Sequence, residues 1–324
     1  KISQKLKPLV RRVAAHEMLH LLSPYSLHSN KTEHIGFNQG ETSAHLWLYE
    51  GVIEYFSLQC LVQNDLMSEE DFWQEISQKI TASENFPPVA LTEMGKNIKK
   101  QKYQQMYKNI YYKGAVAALL LDIALLESSN NTQSLKDVVL ALAKKYGHDK
   151  PFNDDELINE IVQLSSPEIA HFFSHYIEDK KPLPYVDFFA KIGLHYHKLY
   201  TDTLATYGKF SIWPDYKRDA IVFRKVRQNP TGIKNGDRII SINNYLVDIG
   251  NFDDFRALLF QPTPKSRISI TVVRKVQVGN RVISKEVLLQ GVAQTYFKKI
   301  PHDIRRNYGA KEDAEQRRKE IFGR

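Results

Sequence analysis

Apolar residues recur every three or four positions through roughly the first 195 residues, then at alternate positions through most of the next hundred. Residues 9–22 predict one amphipathic helix, with Leu9, Val10, Val13, Leu19 and Leu22 at its apolar positions and Ser23-Pro24 at its end. Residues 23–45 are rich in Ser, Asn, Gly and His and read as a loop. HLWLYEGVIEYFSLQCLV predicts a second helix. SEEDFWQEISQKI predicts a third, opening on Ser68 as cap with Asp71 near the third position. Further helices are expected in YYKGAVAALLLDIALLE, SLKDVVLALAKKYG, NDDELINEIVQLS and SPEIAHFFSHYI.

After HYHKLYTDTLATYG the period changes to that of strands, in AIVFRKV, DRIISINN, SRISITVVRKV and RVISKEVLLQ, with Gly279-Asn280 as a hairpin turn. One helix interrupts them at NFDDFRALLF, with Asn251 as its expected cap. The expected organisation is α+β and multidomain. A mainly helical region covers residues 1–200, a small β-rich domain residues 203–292, and a charged tail residues 293–324, read as an exposed helix or partly disordered.

Composition narrows the function classes. A chain of 324 residues accommodates two or three domains. The net charge of +8 arises from Lys and Arg scattered along the chain. They are not striped along one helix with aromatics between them, which argues for a solvated surface and against nucleic acid as a partner. The single cysteine, Cys60, excludes an intrachain disulfide and a Cys-based zinc site, and its apolar neighbours suit a small buried side chain. No run of 18 apolar residues occurs, so no membrane-spanning segment is expected. The chain opens on KISQKLKPLV without Met, and its first chemical motif begins after fifteen residues, so it is expected to be a piece of something longer.

That motif is HEMLH within VAAHEMLHLL, residues 13–22. Histidines at i and i+4 share a helical face and reach one ion, while the glutamate after the first stays near a metal-bound water. His16 and His20 are therefore candidate metal ligands and Glu17 a candidate base. A catalytic zinc needs a third protein ligand and an open position. Glu50, with 29 residues between it and His20, offers one; the alternative is a surface carboxylate on a mostly buried helix. Glu54, one helical turn on, can accept a hydrogen bond from a ligating imidazole. His28, His34 and His45 read as surface or lining residues, His195 and His197 as a pair at the end of the helical region not expected to bind zinc, and Trp47 and Tyr49 as packing residues.

HEMLH, LWLYEGVIEYF and IYYKGAVAALLLDIALLE together resemble the glycyl aminopeptidase family of zinc metallopeptidases, relatives of the thermolysin-like enzymes with a glutamate third ligand. The similarity continues through SLKDVVLALAKKYG and the acidic stretch FNDDEL. The resemblance implies zinc held by His16, His20 and Glu50, with Glu17 as general base. Related aminopeptidases carry a tyrosine in Tyr-x-Lys-Gly that donates to the oxyanion, and the register of Tyr111-Tyr112-Lys113-Gly114 selects Tyr111. Tyr112 is then expected in the helical core, and Lys113 as a solvated or packing residue.

GIKNGDRIISINNYLVD resembles the Gly-x-x-x-Gly-Asp-x-Ile core of bacterial PDZ domains, which implies a peptide ligand captured beside an exposed strand or a purely structural module. No Gly-Leu-Gly-Phe loop precedes the first strand. Three further features depart from the family. LLSPYSLHSN lacks the Trp-Asn often found after the motif, Glu54 stands where a small hydroxyl residue is common, and the upstream β-domain and sheet half are not in this sequence. The function expected is hydrolysis of peptides, with the family's preference for small N-terminal residues such as Gly and Ala. The alternative is an inactive peptidase-like scaffold that binds peptides through its PDZ-like domain. An endopeptidase is not excluded, and without the upstream sheet the chain alone is expected to be a poor enzyme. By the same resemblance its setting is exported, periplasmic or envelope-associated in a bacterium, with the cytoplasm as the alternative.

Overall fold

The structure, a computed structural model, describes residues 6–32 and 42–323. They divide into two compact units, one formed by the chain up to residue 200 together with residues 301–324, the other by residues 201–300.

The helices of the first unit follow the apolar periodicity. They are α1 (Lys7–Leu19), α2 (Ile53–Gln63), α3 (Glu69–Ser83), α4 (Leu91–Lys96), α5 (Gln101–Gln104), α6 (Lys108–Ser128), α7 (Leu135–Lys145), α8 (Leu157–Leu164), α9 (Ile169–Phe172) and α10 (Tyr185–Lys191). Wide, π-type turns occupy Leu21–Ser26, Trp47–Val52 and Phe173–Ile177, and the second runs directly into α2. Ser68 caps α3 by accepting from the Asp71 amide at 3.0 Å, and Ser134 and Asp137 form a full capping box on α7. The short helices α4, α5 and α10 carry no such signal and were not expected.

At the centre lies α6. It is long and apolar enough, by length and composition, to cross a membrane, yet 78% of its apolar window is buried inside the fold. Ala115, Leu119, Leu120, Leu121 and Ile123 are all fully buried. Such all-round apolarity marks a core helix wrapped by its neighbours, here the Trp47–Val52 turn, α2, α3, α4 and α7. The one acid at its core, Asp122, accepts from the Tyr55 hydroxyl at 2.5 Å and the Leu135 amide at 2.7 Å. It thereby fixes α2 and the start of α7 against α6, as a buried polar group must be satisfied. Burial lifts its pKa to about 6 in spite of those two hydrogen bonds.

Strand β1 (Leu194–Thr206) pairs with β8 (Gln294–Arg306). The second unit holds β2 (Lys209–Asp215), β3 (Ala220–Arg227), β4 (Arg238–Ile242), β5 (Tyr245–Leu246), α11 (Phe252–Phe260), β6 (Arg267–Val278) and β7 (Arg281–Val292). Its antiparallel sheet runs β2-β3-β4-β6-β7, with β5 beside β4. Phe223, Ile239, Ile242, Ile270 and Val272 form its core with Phe252 and Leu259 of α11. Gly279 takes φ +55° in the hairpin that sets Val278 opposite Arg281. Asp237, 1% exposed, receives both Nε and Nη2 of Arg274 at 2.7 and 2.6 Å, which locks β4 to β6. Asn251 precedes α11, but its side chain serves the Asp248 amide and Leu246 carbonyl rather than the helix.

The C-terminal residues differ from expectation. Their charge suggested an exposed helix or partial disorder, but α12 (Glu312–Ile321) packs into the first unit. Arg317 and Arg318 are buried because each is fully engaged. Arg317 donates to Asn131, Asp313 and the Lys191 carbonyl, and Arg318 to Glu69 and the Ile192 carbonyl. Phe322, 2% exposed, meets the ring of Phe72 edge-on at 5.1 Å and that of Trp73 at 5.9 Å. Phe322→Ala is therefore expected to cost about 3–5 kcal/mol in denaturant unfolding. An exposed tail would give a change within about 0.5 kcal/mol.

Candidate metal centre

Residues from three helical segments meet at the candidate site. His16 on α1 and His20 at its C-terminal cap lie one turn apart and meet edge to face, ring centroids 4.7 Å apart and planes at 87°. Pro24 disfavours helical backbone at Ser23, which turns to φ −153°, ψ 125°. The Ser23 carbonyl then accepts from His20 Nδ1 at 3.0 Å. His16 Nδ1 lies 2.9 Å from Glu54 Oε2. With a cation between them, each imidazole would keep its proton on Nδ1 and offer the Nε2 lone pair.

Glu50 comes from the Trp47–Val52 turn, which crosses α6 at a point without side chains. A Cβ on Gly51 would sit 2.7 Å from Gly114 Cα, and one on Gly114 2.9 Å from Gly51 Cα. Only glycine permits that approach. Gly51 follows Glu50, and Gly114 lies one helical turn beyond Tyr111, so the contact carries the carboxylate up to two tyrosines. The Tyr107 hydroxyl donates to Glu50 Oε1 at 3.0 Å, and the ring of Tyr111 meets that of Tyr107 edge-on at 5.7 Å. Glu50 Oε2 is left facing the histidines, 3.4 Å from His16 Nε2 and 3.6 Å from His20 Nε2.

Two of these three atoms, His16 Nε2 and Glu50 Oε2, are buried without a hydrogen-bond partner. Three donors within 4.8 Å of one another, two of them unsatisfied, fit a cation held between them. The surrounding carboxylates favour positive charge at this point. Burial opposes charge on His16, but the neighbouring Glu50 and Glu54 outweigh it and raise its pKa to about 9, so a bound cation would take the place of a proton on Nε2. Burial likewise opposes charge on Glu50, yet His16, Tyr111 and Tyr107 hold it below the usual carboxylate range. Glu54 falls to about 2 because its bonds to His16 and to buried Lys79 outweigh burial. Tyr111 is pushed well above an ordinary phenol by burial and the adjacent Glu50 charge, which keeps it a hydrogen donor.

Beside these groups opens a cleft of about 480 Å³ lined by Leu9, Val13, Glu17, Lys79, Tyr111 and Tyr112, among others. Glu17 is exposed at its mouth. Leu9, Val10 and Val13, expected to face a core, are 48%, 47% and 52% exposed, because α1 packs on α2 through Ala15 and His16. Tyr112, expected in the core, is half-buried on the cleft wall. Lys113 donates to the Val89 carbonyl at 2.7 Å, and burial lowers its pKa to about 8. Trp47 and Tyr49 pack in the core, His45 is buried away from the donors, and His195 and His197 are exposed on β1. Cys60 is half-buried, and His34 lies outside the described residues. Sequence reasoning missed Tyr107 and Lys79. Tyr107 stands four residues before Tyr111 on one helical face, a spacing that could have marked it.

A family model described as M61 glycyl aminopeptidase matches residues 10–117, about a third of the chain. Among solved structures, an aminopeptidase N family protein from Idiomarina loihiensis matches with a TM-score of 0.58 at 17% identity, which speaks for a shared fold. The match covers 100% of this chain and 55% of that one, so this chain spans about half the length of that structure. Comparison with curated proteins gave no match.

The Gly51–Gly114 crossing yields a test whose sign is informative. In an unobstructed helix interior, Gly→Ala stabilises by about 1 kcal/mol. At Gly114 the substitution is instead expected to destabilise by about 1–3 kcal/mol, since the new methyl must push two backbones apart. Denaturant unfolding of Gly114→Ala decides it, and a stabilised variant would show that the helices have room to part.

Proposed function

We propose that this chain carries the catalytic centre of a zinc peptidase, of aminopeptidase type, acting on peptides with small N-terminal residues such as Gly or Ala. The observation that carries the reading is the convergence of His16 Nε2, His20 Nε2 and Glu50 Oε2, two of them buried and otherwise unpartnered, beside a cleft. Two imidazoles, both neutral once an ion displaces the Nε2 proton of His16, and one carboxylate are a donor set suited to zinc with a position left open for reaction. When bound, zinc supplies Lewis-acid polarisation of the scissile carbonyl and acidifies water at that position. Glu17, exposed at the cleft, takes the proton of the attacking water and passes it to the leaving amine. Tyr111 donates a hydrogen bond to the oxyanion as it develops. Glu54 holds the ring of His16, and Tyr107 holds the oxygen of Glu50 that faces away from the histidines. The match to the glycyl aminopeptidase model over the segment that contains all seven of these residues supports this reading, as does the structural likeness to an aminopeptidase.

The second unit we read as a PDZ-like module. Its strand β2 stands at one edge of the sheet, with Trp213 and the neighbouring Tyr216 57% and 81% exposed, and an extended peptide can add there as a further strand.

Glu17→Gln should retain zinc and lose at least about a hundredfold in kcat on Gly- and Ala-initiated peptides, because it removes the base and spares the donors. Turnover near wild type in a zinc-loaded variant would refute that role. Glu50→Ala should lose zinc in dialysis followed by metal analysis; retention at wild-type stoichiometry would place the third ligand elsewhere. N-acetylation of the peptide separates the peptidase classes, since only an aminopeptidase needs the free amine.

A further inference from the structure

Asp154 belongs to FNDDEL, residues 152–157, far along the chain from the metal donors, yet its side chain is fully buried. Its Oδ1 accepts from Ser29 Oγ at 2.7 Å and Ser43 Oγ at 2.5 Å, and its Oδ2 from the Ala44 amide at 3.1 Å. Lys31 Nζ lies 3.5 Å from Oδ2. The Asp154 carbonyl accepts from His45 Nε2 at 2.7 Å, and His45 Nδ1 in turn accepts from the Trp47 indole at 3.1 Å. Every one of these donors lies on the segment leaving His20 or on the segment entering Glu50.

A carboxylate withdrawn from water keeps its charge only while such donors surround it. Here hydrogen bonds from Ser43, Ser29 and Ala44 outweigh burial and hold Asp154 below the usual carboxylate range. Its need for donors therefore gathers residues 29–31 and 43–45 at one point. From that point the Glu50 turn begins: the His45 carbonyl accepts the Leu48 amide at 2.9 Å, and the Ser29 amide donates to the Tyr49 hydroxyl at 2.9 Å.

We infer that Asp154 is a positioning residue for Glu50, fixing the start of the Trp47–Val52 turn so that the Glu50 carboxylate meets the two histidines. The glycine crossing holds the far end of the same turn. This role rests on the reading of His16, His20 and Glu50 as metal donors. In Asp154→Asn an amide NH₂ replaces one acceptor oxygen, so an amide or hydroxyl donor loses its partner and the entry to the turn loosens.

The test compares wild type, Asp154→Asn and Ser43→Ala in the whole chain. Zinc affinity is measured by chelator competition, and amide exchange at Tyr49, Glu50 and Gly51 in the metal-free protein. Asp154→Asn should bind zinc about tenfold more weakly, the scale on which supporting shells act, with faster exchange confined to the turn. Ser43→Ala should shift both in the same direction by less. A residue that merely stabilised the fold would lower the unfolding temperature and leave the zinc affinity of the folded protein unchanged. Folded Asp154→Asn with wild-type affinity and exchange overturns the inference. Should that variant fail to fold, wild-type values in Ser43→Ala overturn it instead. A wild-type chain that bound no zinc would refute the metal reading itself, while the exchange data would still decide whether Asp154 holds the turn.

Discussion

Two backbones touch where Gly51 meets Gly114, and the geometry of the candidate centre descends from that contact. Helices that pack through ordinary side chains stand 8–10 Å apart axis to axis. Removing both side chains at the crossing lets the Glu50 turn settle against α6. The carboxylate then reaches the hydroxyl of Tyr107, at the N-terminal cap of α6, one turn before Tyr111. Any residue with a Cβ at either position would lift Glu50 off the tyrosines and away from the histidines together. α6 can serve as the fixed partner because it is buried on nearly every side and pinned at Asp122.

The two acids around this contact divide their oxygens differently. Glu50 gives Oε1 to Tyr107 and keeps Oε2 toward the imidazoles. Glu54 gives Oε1 to Lys79, itself 7% exposed, and Oε2 to His16. A buried lysine and a largely buried glutamate would each be unfavourable alone, and paired they leave a carboxylate whose ionisation is settled before anything binds. Lys79 on α3 thus supplies the counter-charge that lets a carboxylate stand at position 54 behind His16.

Much of this was legible in the sequence because it rests on local periodicity. The i, i+4 histidines, the capped starts of α3 and α7 and the apolar run of α6 all write their structure within a dozen residues. Pro24 likewise announced the end of α1, and Gly279-Asn280 its hairpin. What stayed hidden was long-range. Nothing near Leu9, Val10 and Val13 reveals that α1 turns His16 inward and leaves those side chains exposed. The tail's charges look solvated until Asn131, Glu69 and two carbonyls from the α10 region are brought to meet Arg317 and Arg318. β1 and β8 escaped notice because each buries a single side chain, Leu194 and His302, too few to write the alternation that marks a half-buried strand.

The different supports of the two imidazoles have a chemical consequence. His16 leans on a carboxylate and His20 on a peptide carbonyl. A carboxylate draws the Nδ1 proton further from its ring than a neutral carbonyl does, so His16 carries more imidazolate character and is the stronger electron donor through Nε2. The two rings, identical in sequence, are thereby unequal as Lewis bases. A bound ion would be held more firmly by His16 than by His20, the more exposed of the pair.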